Sequence, residues 1–183
     1  MNQKIIAVVG VSGVGKSTLL KKLQSKLSFQ YLQASDVIRQ QIQHEESQSL
    51  SSEALRRANI DESQRFLISG FDRLRDPDVL IVVLDGHVVI DSPSGLVDID
   101  SAVFKSIGVT HLVCLVEDPC EILRRRTSDI ARARPDRSLN YIEEYQIHAQ
   151  GVGFKISLSL GIPFTVLPSG CLEWMDHILS ASM

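Results

Sequence analysis

The sequence predicts an α/β fold with a parallel β-sheet. Three observations support this prediction. Short apolar runs alternate with helical patterns, the first run leads directly into a glycine-rich loop, and the composition (44% hydrophobic, 22% charged) is that of an ordinary globular protein. The 183 residues are enough for a sizeable core, and neither a linker nor a repeat divides them. We therefore expect a single domain over residues 1–183.

The first part of the chain is expected to contain two strands and three helices. The apolar run at residues 5–9 is the first strand, and the helix that follows carries its leucines on one face. Ser35 and Asp36 offer an N-cap to the second helix, and the Asp-Pro pair at 76–77 ends the third. The predicted elements are a strand at 5–9, a helix at 16–27, a strand at 29–33, a helix at 37–43, a polar loop at 44–52 and a helix at 53–75.

The second part continues the alternation. Residues 79–84 fit either a strand or an extension of the helical region. Gly108 and Gly161 are expected to end helices, and Gly151 and Gly153 to interrupt one. The predicted elements are a strand at 87–91, a helix at 99–107, a strand at 111–116, a helix from 118 to about 127, a basic loop at 128–137, a helix at 138–160, a strand at 163–167 and a helix at 171–180.

A complete phosphate-binding pattern, Gly-x-x-x-x-Gly-Lys-Ser, lies at residues 10–17 between the first strand and the first helix. Its backbone N–H groups and the helix dipole attract phosphate, Lys16 can reach the β/γ-phosphates, and the Ser17 hydroxyl can bind Mg²⁺. The alternative is a glycine turn without a ligand. The predicted ATP-binding residues are Gly10, Ser12, Gly13, Val14, Gly15, Lys16, Ser17 and Thr18.

A carboxylate at the end of the predicted strand 87–91 is the second sequence feature that indicates a nucleotide-binding site. Asp91 follows the apolar Val88-Val89-Ile90, and in a phosphate-loop enzyme such an aspartate holds Mg²⁺, usually through water. We therefore expect Asp91 and Ser17 to form the magnesium site together. The alternative is that Asp91 is a turn residue before Ser92-Pro93.

Six arginines form the third signal: Arg124, Arg125, Arg126, Arg132, Arg134 and Arg137. A charge run is usually a solvated face. The guanidinium fork, however, binds phosphate oxygens bidentately, and phosphoryl transfer needs positive charge with water excluded. We expect a short arginine lid at about residues 125–138, with Arg125, Arg126, Arg132 and Arg134 as catalytic residues. Arg39 is equally well a surface residue or a group that holds the acceptor's phosphate.

Net charge and cysteine content indicate the expected classes of partner and the cellular compartment. A net charge of -3 gives no general attraction to nucleic acid. Three cysteines without C-x-x-C spacing fit a reduced compartment, and no Cys/His cluster has zinc spacing. No signal peptide is visible, and the longest apolar run is too short to span a bilayer. We expect a cytoplasmic protein without membrane or nucleic-acid partners.

With these residues in place, the chain resembles the nucleoside monophosphate kinase branch of phosphate-loop proteins, and most closely the archaeal-type adenylate kinases and their bacterial relatives. The similarity covers the phosphate loop, the strand ending in Asp91 and then Ser92, and the lid pattern of two arginines, an Asp three residues later and two further arginines. It implies a three-layer α/β/α fold whose five-stranded parallel sheet has the order 2-3-1-4-5. It also implies a helical acceptor region at about residues 35–84.

The resemblance implies a function as well: transfer of the ATP γ-phosphoryl group to a nucleoside monophosphate, with ATP and Mg²⁺ as cofactors. Ser35, Arg39, Asp91 and Ser92 would then contact the acceptor. Residues 73–86 and 92–96 depart from the family pattern, and these regions select the acceptor. A kinase for another nucleotide-like acceptor and a nucleotide-binding regulatory ATPase therefore stay open, as do the acceptor's identity and the oligomeric state.

Overall fold

Alternating strands and helices make up the fold, as the sequence predicts. A computed structural model describes residues 3–48, 60–92, 94–129 and 137–180. Within these ranges the strands are β1 (Lys4–Val9), β2 (Gln30–Gln33), β3 (Ile81–Asp85), β4 (Val89–Ser92), β5 (Gly95–Asp98), β6 (His111–Val116) and β7 (Phe164–Pro168). The helices are α1 (Lys16–Gln24), α2 (Ala34–Gln48), α3 (Ile60–Leu74), α4 (Ser101–Ile107), α5 (Pro119–Ser128), α6 (Leu139–Leu160) and α7 (Leu172–Ser180).

Five parallel strands form the main sheet in the order β2-β3-β1-β6-β7. Counted among themselves, these strands have the predicted order 2-3-1-4-5. The third of these strands along the chain is not the predicted strand at residues 87–91. The segment of ambiguous pattern supplies it instead, as β3, which ends at Asp85. The expected strand at 87–91 instead becomes β4, which pairs antiparallel with β5 in a separate hairpin. The segment between β3 and α4 thus forms this hairpin and adds no strand to the main sheet.

Helices cover both faces of the sheet. Right-handed crossovers place α1 on one face and the helices between later strands on the other, and the contacts agree: α1 touches α7, whereas α4 touches α3 and α6. The central strands β1, β3 and β6 are almost entirely buried and form the core with the inner faces of these helices. No helix in the described part of the chain combines the length and apolar character that a membrane crossing requires.

Several predicted boundaries are wrong in the acceptor region and the long helix. Helix α2 runs from Ala34 to Gln48, so the polar stretch that was expected to be a loop continues the helix at least to residue 48. Ser35 and Asp36 lie in its first turn instead of preceding it. Helix α1 ends at Gln24, before the predicted residue 27. Helix α6 is continuous, without an interruption at its two glycines.

The two glycines of α6 differ in their surroundings, which leads to a stability prediction. A Cβ at Gly153 would lie 2.8 Å from the Phe164 ring, whereas a Cβ at Gly151 would meet nothing within 4 Å. We expect Gly153→Ala to lower the free energy of unfolding by about 1–3 kcal/mol through overpacking. Gly151→Ala is the matched control and should be neutral or raise it by up to about 1 kcal/mol. Urea unfolding of both variants checks this, and equal effects would contradict it.

Candidate functional site

The phosphate-binding loop connects β1 to α1, as expected. Gly10, Gly13 and Gly15 have φ values of 144°, 92° and 108°, a backbone region that favours glycine. At Gly10 there is no room for a side chain either, because a Cβ would lie 2.6 Å from the Leu115 carbonyl oxygen of β6. The loop therefore has the backbone shape that its three glycines permit, and the N-terminus of α1 lies directly behind it.

Lys16 is buried, with 6% of its surface exposed, and its ammonium group lies inside the loop. Its Nζ donates to the carbonyl oxygens of Gly10 at 2.7 Å and Val11 at 3.4 Å. His87 also contacts the Gly10 carbonyl, with Nδ1 at 2.8 Å. Because a carbonyl oxygen can only accept, this contact places a proton on Nδ1. His87 thus supports the loop from the β3 side.

The carboxylate that lies beside the loop is Asp85. Strand β3 is the parallel neighbour of β1 and pairs Asp85 with Val8, which places Asp85 at the carboxyl edge of the sheet. Its Oδ2 accepts hydrogen bonds from the Ser17 hydroxyl at 2.9 Å and from the Tyr31 hydroxyl at 2.8 Å. Burial, followed by the charge of Asp85, raises the pKa of Tyr31 far above its ordinary value. Tyr31 therefore remains a neutral donor to Asp85.

Ser17 and Asp85 fit the magnesium ion that a phosphate-loop protein is expected to use. Mg²⁺ takes oxygen ligands and keeps several waters, binding through one or two protein groups together with substrate phosphates. A hydroxyl and a carboxylate, 2.9 Å apart at the start of α1, provide that donor set. Ser17 would ligate the ion and Asp85 would hold one of its waters. The sequence carried the signal for Asp85, an apolar run ending in Asp, but the ambiguous pattern before it hid the strand.

Asp91 lies elsewhere, so its predicted pairing with Ser17 at a metal site is wrong. It belongs to β4 of the hairpin, and its Oδ2 accepts from Arg126 at 3.1 Å. Its Oδ1 accepts from Arg137 at 2.9 Å and from the Tyr141 hydroxyl at 3.1 Å. The reason is topological: the strand that ends at Asp85, β3, lies beside β1 in the main sheet, whereas β4 with Asp91 belongs to the separate hairpin. Ser92 lies in the same hairpin, where its hydroxyl donates to Gly95 O at 2.7 Å.

Asp91 connects β4 to α5 and to the start of α6 through ion pairs and a hydrogen bond. Its side chain is 7% exposed and that of Arg126 is 6% exposed, so this ion pair is buried between β4 and α5. Arg137 precedes α6 and stacks over the Tyr141 ring at 4.4 Å. Burial by itself would raise the pKa of Asp91. The hydrogen bonds from Arg137, Arg126 and Tyr141 outweigh it, however, and hold that pKa below its ordinary value of 3.8.

This cluster predicts a stability effect. Replacing Asp91 with Ala leaves two guanidinium groups without their carboxylate, and we expect a loss of about 3–5 kcal/mol of unfolding free energy. Since the folded pKa lies below the unfolded one, the carboxylate's contribution is complete above pH 3.8 and declines as the pH falls through the folded pKa. Urea unfolding at neutral pH and at a series of acidic pH values measures both. A loss that stays constant down to the lowest pH would contradict this account.

Arg125 lies beside the phosphate loop. Its guanidinium donates to the Val14 carbonyl at 3.0 Å and to Glu117 at 2.8 Å. Glu117 also accepts from the Ser169 hydroxyl at 2.5 Å, and hydrogen bonds, first from Ser169 and also from Arg125, hold the pKa of Glu117 below its usual range. Arg125 is therefore fixed against the phosphate loop by Val14 and by Glu117, which the sequence did not single out.

The other predicted lid residues divide into two groups. Arg126 packs against the loop, since a Cβ on Gly13 would lie 3.0 Å from its side chain, but its guanidinium points to Asp91. Arg132 and Arg134 lie outside the described residues. Of the predicted lid, the structure thus brings Arg125 and Arg126 to the phosphate loop.

An open cleft of about 800 Å³ extends from the phosphate loop to the first turn of α2. Its lining includes most of the predicted ATP-binding residues together with Ser35 and Arg39, whereas Asp91 and Ser92 are not part of it. The sequence missed Asp36, whose carboxylate lines the cleft and pairs with Arg39 at 3.0 Å. It also missed Gln33 and Asp85, which line the cleft as well.

A second, apolar pocket of about 260 Å³ adjoins this cleft beneath α2 and α3. The two share Ala34, Ser35 and His87 as lining residues. Most of its lining residues carry aliphatic or aromatic side chains, including Leu84, Ile90, Ile99, Val103 and Phe104. The polar cleft is thus bordered by an apolar pocket.

Curated relatives align with most of this chain at low identity. The adenylate kinase of Thermoplasma acidophilum is 27% identical over 143 residues, which covers 76% of this chain and 75% of the relative. The adenylate kinase of Methanococcus vannielii is 24% identical over 153 residues, with 80% of this chain and 79% of the relative covered. Both alignments span more than two thirds of each partner.

Solved structures share the fold. TT1252 from Thermus thermophilus matches with a TM-score of 0.52 at 14% identity, over 99% of this chain and 97% of that one. A gluconokinase from Sinorhizobium meliloti 1021 matches with a TM-score of 0.51 at 14% identity, over 98% and 90%. The AAA_17 model, which describes an AAA domain, matches residues 9–143. Because that match spans well over half of the chain and begins at its phosphate loop, the protein belongs to the AAA_17 family of phosphate-loop proteins.

Proposed function

We propose that this chain is an ATP-dependent phosphotransferase whose active site is the cleft at the carboxyl edge of β1 and β3. The observation that carries the proposal is the meeting of Lys16, Ser17 and Asp85 at one phosphate-binding loop, with Ser17 and Asp85 2.9 Å apart. A cation for the moving phosphoryl group and a donor pair for Mg²⁺ therefore face the same cleft. Low-identity relatives named as kinases support the same activity.

The chain's own residues account for the main requirements of phosphoryl transfer, which are positioning and charge stabilisation. Backbone N–H groups of the loop bind the ATP phosphates, and Lys16 stabilises the charge on the transferred group. Arg125, held by Glu117, adds positive charge beside the loop. When bound, Mg²⁺ neutralises phosphate charge. His87 holds the Gly10 carbonyl and so keeps the loop in shape.

For the acceptor, a nucleoside monophosphate is the first candidate, with AMP and ATP giving two ADP. The resemblance to adenylate kinases supports it, and so does a cleft that runs from the loop to Arg39. The test is a coupled assay of the purified chain with ATP, Mg²⁺ and AMP, in which ADP should form. Absence of product with AMP and with a panel of nucleotides and hydroxylated acceptors, while ATP still binds, would favour a regulatory nucleotide-binding protein instead.

A hydroxyl-bearing acceptor is the second candidate, because of Asp36. Its carboxylate would repel a phosphate monoester, it already neutralises Arg39 at 3.0 Å, and carboxylates accept hydrogen bonds from hydroxyl groups. The adjoining apolar pocket would receive the rest of such a molecule, for example the ring of a nucleoside. Turnover of nucleosides with AMP inert, and loss of that turnover in Asp36→Asn, would select this candidate. Turnover of AMP that is unaffected by Asp36→Asn would reject it.

The catalytic role of the two arginines outside the described residues stays a prediction. If Arg132 and Arg134 stabilise charge in the transition state, Arg132→Ala and Arg134→Ala should each lower kcat by roughly 10²–10⁴. Arg124→Ala is the matched control, because Arg124 pairs with Glu121 on the exposed face of α5. Unchanged kcat in both variants would remove the lid hypothesis.

A further inference from the structure

A tyrosine on the edge strand of the main sheet contacts the same carboxylate oxygen as Ser17. Tyr31 belongs to β2, and its hydroxyl donates to Asp85 Oδ2 at 2.8 Å, while the Ser17 hydroxyl donates to that oxygen at 2.9 Å. Ser17 and Asp85 line the cleft, whereas Tyr31 is not part of its lining. Any effect of the Tyr31 hydroxyl on chemistry in the cleft therefore passes through Asp85.

The register of β2 and β3 explains how Tyr31 reaches this carboxylate. In this parallel pair, Tyr31 lies level with Val83 and Gln33 lies level with Asp85, so the tyrosine begins two residues before the aspartate. Residues two apart on a strand share a face of the sheet, and two residues span about 7 Å. A side chain that begins that far back needs the length of tyrosine to bring a hydroxyl to Asp85. The shorter side chains of Ser or Thr would not reach it.

The orientation of the Asp85 carboxylate matters for a metal ion beside Ser17. Only 5% of Asp85 is exposed, and the terminal torsion of an aspartate has a broad, roughly two-fold preference that does not by itself fix its oxygens. Two hydroxyl donors on Oδ2 distinguish that oxygen from Oδ1. Because Oδ2 takes the Ser17 proton, the lone pairs of the Ser17 oxygen can face a cation. Oδ1 is then the carboxylate oxygen that can accept from a water of that cation.

Asp91 provides a comparison within the same chain. It also accepts from a tyrosine hydroxyl, that of Tyr141 at 3.1 Å, but Arg126 donates to its Oδ2 and Arg137 to its Oδ1. Those guanidinium groups engage both oxygens and neutralise the carboxylate. The two hydroxyl donors to Asp85 carry no charge and share one oxygen. They orient that carboxylate without neutralising it, as an aspartate that serves a metal ion requires.

From these contacts we infer that Tyr31 is a positioning residue of the Mg²⁺ site, which holds the Asp85 carboxylate with Oδ2 towards Ser17 and Oδ1 available to a water of the ion. The inference rests on the proposed function, because it concerns the metal of that same site. The alternative role for Tyr31 is structural, in which its hydroxyl only satisfies a buried carboxylate and stabilises the fold. The two roles differ in whether loss of the hydroxyl changes metal binding.

Calorimetry of ATP binding to the full chain, once with Mg²⁺ and once with EDTA, tests the inference without turnover. The quantity compared is the factor by which Mg²⁺ tightens ATP binding. In Tyr31→Phe this factor should fall by about 3–10-fold, less than the loss expected for an outer-shell partner, because Tyr31 acts through Asp85. Binding in EDTA should stay unchanged. Tyr141→Phe is the matched control, since it removes a tyrosine hydroxyl from Asp91 and should keep the wild-type factor.

A double-mutant cycle separates positioning from a general structural effect. In an Asp85→Asn background, Tyr31→Phe should lower the Mg²⁺ factor by less than about twofold, because the group that it orients has lost its charge. A Tyr31→Phe variant that differs from the wild type only in melting temperature would overturn the inference. An equal loss in the Asp85→Asn background or in Tyr141→Phe would overturn it too. Failure of the proposed function is distinguishable, because Mg²⁺ would then not tighten ATP binding to the wild type, and the inference would fall with it.

Discussion

Replacing Lys16 with Ala is expected to abolish phosphoryl transfer, with kcat falling by at least about 10³-fold. Lys16 is the buried cation of the phosphate loop, and its Nζ lies 2.7 Å from the Gly10 carbonyl. No other side chain of the loop carries positive charge. Removing the ammonium group leaves the charge of the transferred phosphoryl group without its nearest counter-charge. A coupled ADP assay, together with ATP binding by calorimetry, measures the two consequences separately.

The controls for Lys16 separate chemistry from folding. Lys22→Ala removes an exposed lysine from the same helix and should leave kcat unchanged. Lys16→Met keeps most of the apolar stem and guards against a loop that collapses when the side chain is truncated. Both Lys16 variants should be inactive with near-native unfolding curves. Activity retained within about tenfold in a folded Lys16→Met variant would contradict the proposed function of this loop.

Asp85→Asn and Asp91→Asn are expected to have opposite consequences. Asp85→Asn keeps the shape of the side chain beside Ser17 but removes its charge. The apparent affinity for Mg²⁺ should fall by about 10–100-fold, the usual effect of losing an outer-shell partner of a metal. Asp91→Asn should leave the Mg²⁺ dependence unchanged and lower the melting temperature, because it weakens the pairs with Arg126 and Arg137.

Both variants are measured in the same two ways, by titration of activity with Mg²⁺ and by thermal unfolding. Each aspartate serves as the control for the other, since both follow an apolar run and both are largely buried. The reverse outcome, in which Asp91→Asn alone weakens the Mg²⁺ dependence, would restore the role that the sequence suggested for Asp91. Equal Mg²⁺ effects in both variants would mean that neither position is specific for the metal.

The confusion between these two aspartates shows where sequence reasoning reaches its limit. Two apolar runs, one ending in Asp85 and one in Asp91, satisfy the same local pattern of a strand followed by a carboxylate. Local pattern reports burial and extended structure, but it does not report which strand is the neighbour of β1. That choice depends on pairing across more than seventy residues, Val8 with Asp85, and on the hairpin that takes the second run out of the sheet.

The arginines show the same limit in a different form. Their number and spacing predicted a group that binds phosphate, and the structure does place Arg125 against the loop at Val14. Arg126 and Arg137 instead share Asp91, an ion-pair cluster that becomes possible only when β4 packs beside α5 and the start of α6. Residue type predicts what an arginine can bind, whereas its partner depends on which elements meet.

By itself, the sequence determined the features that depend on neighbouring residues: the α/β class, the phosphate loop with Lys16 and Ser17, and the helix ends at Gly108 and Gly161. These follow from backbone freedom, hydrophobic period and hydrogen bonds within a few residues. The tertiary structure alone decided that Asp85 lies beside Ser17, that Asp36 lines the cleft, and that Asp91 pairs with Arg126. Each of these facts is a contact between distant segments, and its energy is defined only once the sheet has brought those segments together.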